Sequence, residues 1–173
     1  MTMANPRLKN LAFEDYSPAQ QDVLKTILEK RGRIPLPVKV WLQSPTLAKA
    51  IEPLGTMLNT ASLLSKPEWE IAAIVMARHW GSTSVLEAHY KFMRDAGSPE
   101  AVVAALQAGT PPPFESERQK AIYVLASACD RREPVTDDIF DHAEKALGAD
   151  GLAELIAFLG YYSGVSIAMK IYG

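Results

Sequence analysis

A single cysteine in 173 residues leaves Cys129 with no partner in the chain, which excludes an intramolecular disulfide and a CxxC redox pair. The three histidines, His79, His89 and His142, are too few and too scattered to close a metal-ligand set. No HExxH or HxxxH spacing occurs, and neither a metal nor an organic cofactor is expected. Charge of one sign is lacking too. The chain has 18 Lys and Arg against 20 Asp and Glu, a formal net charge of −2, and so no basic footprint for nucleic acid or an anionic membrane surface. Apolar stretches fall short of the roughly 20 residues that cross a bilayer. The first ten residues carry Arg7 and Lys9 with no apolar run behind them, so no secretory signal is expected and the cytoplasm is the default compartment. Sustained period-two alternation, the mark of a half-buried strand, is missing as well.

What is present reads as helix. With 48% hydrophobic and 22% charged residues the composition is that of a globular protein, and a chain of this length can bury a conventional core. Ser17-Pro18 opens a helix whose apolar positions are Val23, Leu24, Ile27 and Leu28, and Gly32 ends it. An extended Ile34-Pro35-Leu36-Pro37 and a helical turn near 38–42 follow. Ser44-Pro45 starts the next helix, in which Pro53 predicts a kink or break. Ser65-Lys66-Pro67-Glu68 is a capping-box start. Gly81-Ser82-Thr83-Ser84 separates its helix from one running to Gly97, and Ser98 is placed to cap another through Leu106. After the Gly109-Thr110-Pro111-Pro112-Pro113 linker, helices are expected near 115–129, 136–147 and 151–172. A faint echo near 50 residues, with Gly97 and Gly148 at matching ends, suggests a quasi-twofold arrangement. The expected fold is all-α with about seven or eight helices.

The segment from Glu70 to His89 is the most informative. It puts one carboxylate in the first turns of a helix and one imidazole in the first turns of the next, across a polar break that lets them face each other. Histidine titrates near neutrality, and a neighbouring carboxylate fixes its tautomer, so such a pair suits proton transfer. Outside any family context, a Glu and His spaced this way more often form a capping or surface arrangement.

Several pieces resemble the carboxymuconolactone decarboxylase and alkylhydroperoxidase D family: Glu70, the Ala77-Arg78-x-Trp80-Gly81 stretch, Glu87-Ala88-His89, Gln43-Ser44-Pro45-x-Leu47-Ala48, and the tail Leu159-Gly160-Tyr161-Tyr162-Ser163-Gly164-Val165. Together they cover about residues 34 to 173, leaving 1–33 as an N-terminal arm or extra helix. The resemblance implies an alkylhydroperoxidase D-like helical bundle that assembles as a homotrimer or hexamer. In the peroxidase branch a glutamate, a CxxC pair and a histidine form a redox centre. The same intervals fall here on Glu70, Ser82, Val85 and His89. Disulfide exchange needs a thiolate, so thiol peroxidase or disulfide reductase activity is not expected.

The decarboxylase branch has no such requirement and implies acid–base chemistry on a small organic acid or lactone. Glu70 and His89 are the catalytic candidates, and Arg78, Trp80 and Ser82 the candidates for substrate contact. A second acidic residue, common in relatives, is replaced by Val85. The alternative is a non-catalytic ligand-binding or assembly protein on the same scaffold. Simpler roles are expected elsewhere: Cys129 as a buried, inert thiol, His79 as a packing or interface group, His142 in solvent, and Ser82 in helix capping. Of the consecutive Tyr161 and Tyr162, one should face outward.

Overall fold

The start and stop signals in the sequence are used as helix boundaries. Ser17 caps α1 (Pro18–Arg31), its amide donating to Gln20 Oε1 at 2.9 Å, and Gly32 ends that helix at φ 67. Ser44 Oγ accepts from Leu47 N at the head of α3 (Pro45–Thr60), after the short α2 (Leu36–Trp41). The other helices are α4 (Lys66–Trp80), α5 (Thr83–Asp95), α6 (Glu100–Ala108), α7 (Glu117–Arg131) and α8 (Asp137–Tyr172). This computed structural model describes residues 7–9 and 11–172, and among them the fold is all-α, with a 3-10 turn at Phe13–Asp15 and no strand. Parts of the expected arm, residues 1–6 and 10, lie outside the described residues.

Three local expectations are narrowed or corrected. Of the kink or break expected at Pro53, the break does not occur, since α3 runs through it. The cap of α6 is Pro99 in place of Ser98, whose hydroxyl is buried without a partner. α8 is long and apolar enough to cross a membrane by length and composition, contrary to the reading of short apolar runs, although half of its apolar window is buried as in a core helix.

The chain divides into two compact units, Met1–Ser62 with Ile171–Gly173, and Leu63–Lys170. A boundary at residue 33 does not coincide with that division, because α1 shares a core with the residues after it. Val23, Leu24 and Ile27 meet Val38, Leu42 and Ala48, with Phe13, Tyr16, Ile34 and Trp41 packed around them. Within the same unit, Arg31 Nη1 meets Glu52 Oε1 at 2.8 Å, and Thr56 Oγ1 donates to that oxygen at 2.9 Å.

In the second unit α4 is the central element. Every residue from Glu68 to Ala77 is buried, and α5 and α7 pack against it. A helix that is apolar nearly all round has no solvent face to offer, and the small Ala72, Ala73 and Ala77 let neighbours approach closely. α8 contains a break at Gly148 (φ 73, ψ 167), between the two helices expected from the sequence.

The head of α4 is anchored by Glu68. Its Oε2 accepts from Ser65 N at 2.8 Å, and its Oε1 accepts from Arg118 Nε at 2.8 Å. Burial pushes this carboxyl up, but the Arg118 and Ser65 donors outweigh burial and hold it below the usual carboxylate range. A folded-state value below the unfolded one means stability that is present above the ordinary value of about 4.3 and lost as pH falls through the lowered one. Glu68→Ala should therefore cost about 1–3 kcal/mol at pH 7. Urea denaturation at pH 7 and pH 3 should show the difference between the two proteins shrinking at the lower pH.

Candidate functional site

Glu70 carries a carboxylate into the buried part of α4 and is 5% exposed. A charge in that position needs a partner close by. Gly81, in the left-handed region at φ 64, ends α4 and turns the chain into α5. His89 thereby returns alongside the first turns of α4, with Nδ1 2.5 Å from Glu70 Oε2. His89 is itself buried. A carboxylate only accepts, so Nδ1 carries the hydrogen in this pair and the chemistry of the ring falls to Nε2.

Nε2 faces the hydroxyl of Tyr162 from α8 at 3.4 Å, longer than the roughly 2.8 Å of a strong hydrogen bond to a hydroxyl. Aromatic rings wall the imidazole. Trp69 lies 5.6 Å away between centroids, and Phe92 and Tyr162 meet it edge-on at 5.5 and 5.4 Å. Phe158 stacks on Tyr162 at 4.6 Å with 6° between planes, and Trp69 sets its edge against both rings. The result is a carboxylate–imidazole–phenol series in low-polarity surroundings, where hydrogen bonds are electrostatically stronger than in water.

The substrate-contact candidates fall differently. Arg78 turns away to α6. Its Nη2 donates to Tyr90 Oη at 2.9 Å, to Gln107 O at 3.3 Å and to Leu106 O. The guanidinium is thus committed as a cap on the C-terminal carbonyls of α6, where a cation also complements the helix dipole. It fits so closely that a Cβ added at Gly109 would lie 2.8 Å from Arg78 Nη1. Trp80 meets His79 edge-on at 4.8 Å, and its Nε1 is buried without a partner. Ser82 occupies the N-cap position of α5, yet its hydroxyl makes no cap bond and is buried without a partner, against the expected capping role.

His79 Nδ1 lies 2.7 Å from Asp130 Oδ1, linking α4 to α7. His142 is not simply solvated, since its Nε2 lies 3.1 Å from Glu117 Oε2. Cys129 is exposed, not buried. By periodicity it extends the Ile122–Leu125 stripe, but it sits in the last turn of α7, where that stripe has outrun its cover. Partial desolvation pushes its thiol up, the opposite of what activates a nucleophilic cysteine.

Helical spacing allows only one of Tyr161 and Tyr162 to face inward, and in the structure it is Tyr162. The deciding signal was available: Tyr162 lies four residues from Phe158 on the buried stripe of α8, while Tyr161 is half-buried beside it. Among the described residues no group of His, Cys, Asp and Glu is placed to hold a metal ion. No protein-family model matches the chain, and no curated protein matches it.

Proposed function

We propose that this chain is a cofactor-independent lyase of the carboxymuconolactone decarboxylase kind on an alkylhydroperoxidase D-like scaffold, moving protons on a small organic acid or lactone. His89 is the acid–base group and Glu70 orients it. The observation that supports this reading is the 2.5 Å contact between His89 Nδ1 and Glu70 Oε2, made by two buried side chains. Decarboxylation of an unsaturated lactone acid leaves an enolate-like electron pair. Protonated Nε2 supplies the hydrogen that quenches it, and the Tyr162 hydroxyl beside Nε2 is a donor for the developing oxyanion. Serine and valine at positions 82 and 85 leave thiol redox chemistry out of the reading. A cytoplasmic location belongs to the same proposal.

The test uses enolisable probes in D2O: a 2-oxo acid, a β-keto acid and a γ-carboxy butenolide. NMR then follows deuterium uptake and loss of carbon dioxide. The wild type is expected to accelerate at least one probe over buffer, and His89→Ala to abolish the acceleration. No acceleration by any protein, or equal acceleration by wild type, His89→Ala and Glu70→Gln, would overturn the reading.

A second reading, a non-catalytic assembly protein, has an observation of its own. The exposed side of α8 offers Ala153, Ile156 (61% exposed) and Gly160, and residues 155–169 contain no charge. Either reading implies a homo-oligomer, a trimer or hexamer. Sedimentation velocity should show it in the wild type, and Ile156→Asp should shift the population to smaller species.

A further inference from the structure

Serine hydroxyls inside helices usually satisfy themselves on nearby backbone. Ser163 does so, donating to Leu159 O at 2.8 Å. Ser166, one turn further along α8 and 0% exposed, does not, and neither does Ser82, 2% exposed at the N-cap of α5. Each hydroxyl is buried without a hydrogen-bond partner, and so is the indole N–H of Trp80. Among the described residues 63–170, four side chains hold such an atom, Trp80, Ser82, Ser98 and Ser166. Helical register assigns three of the four, Trp80, Ser82 and Ser166, to one seam.

Side-chain contacts set the register of that seam. Tyr162 lies against His89 and Trp69, Ser163 Oγ meets Met76 Sδ at 3.5 Å, and a Cβ at Gly81 would come 3.8 Å from Lys170 Nζ. The C-terminal half of α8 therefore runs parallel to α4 and antiparallel to α5. Ser82 shares a face with His89 two turns earlier on α5, about 10 Å away, and Ser166 shares a face with Tyr162 about 6 Å along α8. Trp80 continues the Trp69–Met76 face of α4 that meets α8. The seam opens at Gly81 and Lys170, both exposed.

We propose that this seam binds internal water and that its hydroxyls carry protons between His89 and solvent at the Gly81–Lys170 end. This rests on the acid–base role of His89. Buried polar atoms without protein partners are the groups that internal waters satisfy, each water making about three hydrogen bonds. A hydroxyl both donates and accepts, so Tyr162, Ser166 and Ser82 each take up one proton and release another with no net change. The Trp80 N–H donates only, so it anchors a water without relaying. At about 2.8 Å per hydrogen bond, the three hydroxyls and a few waters span the distance from Nε2 to the surface. A buried acid–base histidine must regain its proton from solvent after each turnover, and the seam supplies the route.

The experiment follows exchange with water of the imidazole N–H protons of His89, on the full chain carrying 15N-labelled histidine. His79 and His142 serve as internal controls. Ser166→Val removes the hydroxyl and fills its space, and is expected to slow His89 exchange at least tenfold with the controls unchanged. Ser166→Thr, which keeps a hydroxyl, should stay within about twofold of wild type. Should Ser166→Val fail to fold, Ser82→Ala combined with Ser166→Ala carries the same expectation. Unchanged His89 exchange in the folded hydroxyl-free variant overturns the path. Slowed exchange in a protein that turns over no probe leaves the path standing and removes the acid–base reading instead.

Discussion

His89→Ala should lower catalysed proton exchange on a responsive probe by roughly 10²–10⁴-fold, the range that a positioned acid–base group contributes. Glu70→Gln should cost less, because the amide still accepts from Nδ1–H in one orientation, while the flipped amide donates to Nδ1 and moves the imidazole hydrogen to Nε2. Removing His89 also strands a buried carboxylate, at a cost of about 3–5 kcal/mol if the charge stays. His89→Gln is the better control, since it keeps a donor toward Glu70 and has no titratable nitrogen. Rates of all three variants beside their thermal midpoints separate lost chemistry from lost folding. A rate for folded His89→Gln equal to wild type would rule out His89 as the proton-transfer group.

The largest stability effect is expected at Phe158, which is fully buried, stacked on Tyr162 at 4.6 Å and edged by Trp69 at 4.9 Å. Phe158→Ala removes a ring that two others use as a wall, and the loss should be about 3–5 kcal/mol in urea denaturation. Phe158→Leu keeps more of the volume and should lose less. Because Phe158 holds the plane of Tyr162, both variants should also weaken probe turnover without altering Glu70 or His89. A loss under about 1 kcal/mol for the alanine variant would mean that the aromatic cluster collapses to fill the space.

Helix existence and most boundaries were legible because their causes are local. Ser17 and Ser44 accept from an amide three residues on, and Gly32 and Gly81 adopt the left-handed conformation that ends a helix. Sequence and structure differ where tertiary packing overrides a local rule. Pro53 lost its breaking effect in a helix held by packing, and Ser98 and Ser82 sit at helix starts with hydroxyls buried off the backbone. Cys129 followed the apolar period past the end of its cover. Arg78, beside Trp80 in sequence, points to α6 because the carbonyls of Leu106 and Gln107 lie within its reach.

By itself, then, the sequence determined an all-α chain, the hairpin that can bring residue 89 back to residue 70, and the want of sulfur between them. Spacing along a helix and the conformational limits of glycine and proline suffice for that. Only the tertiary structure decided that the imidazole is closed in by Trp69, Phe92 and Tyr162, that Tyr162 and not Tyr161 faces Nε2, and that Ser82, Trp80 and Ser166 each hold a buried polar atom without a partner. Those facts depend on α8 lying against α4 and α5, a contact between residues some 70 positions apart, such as His89 with Tyr162. No local periodicity encodes the rotation of one helix about another. The packing of buried side chains sets it.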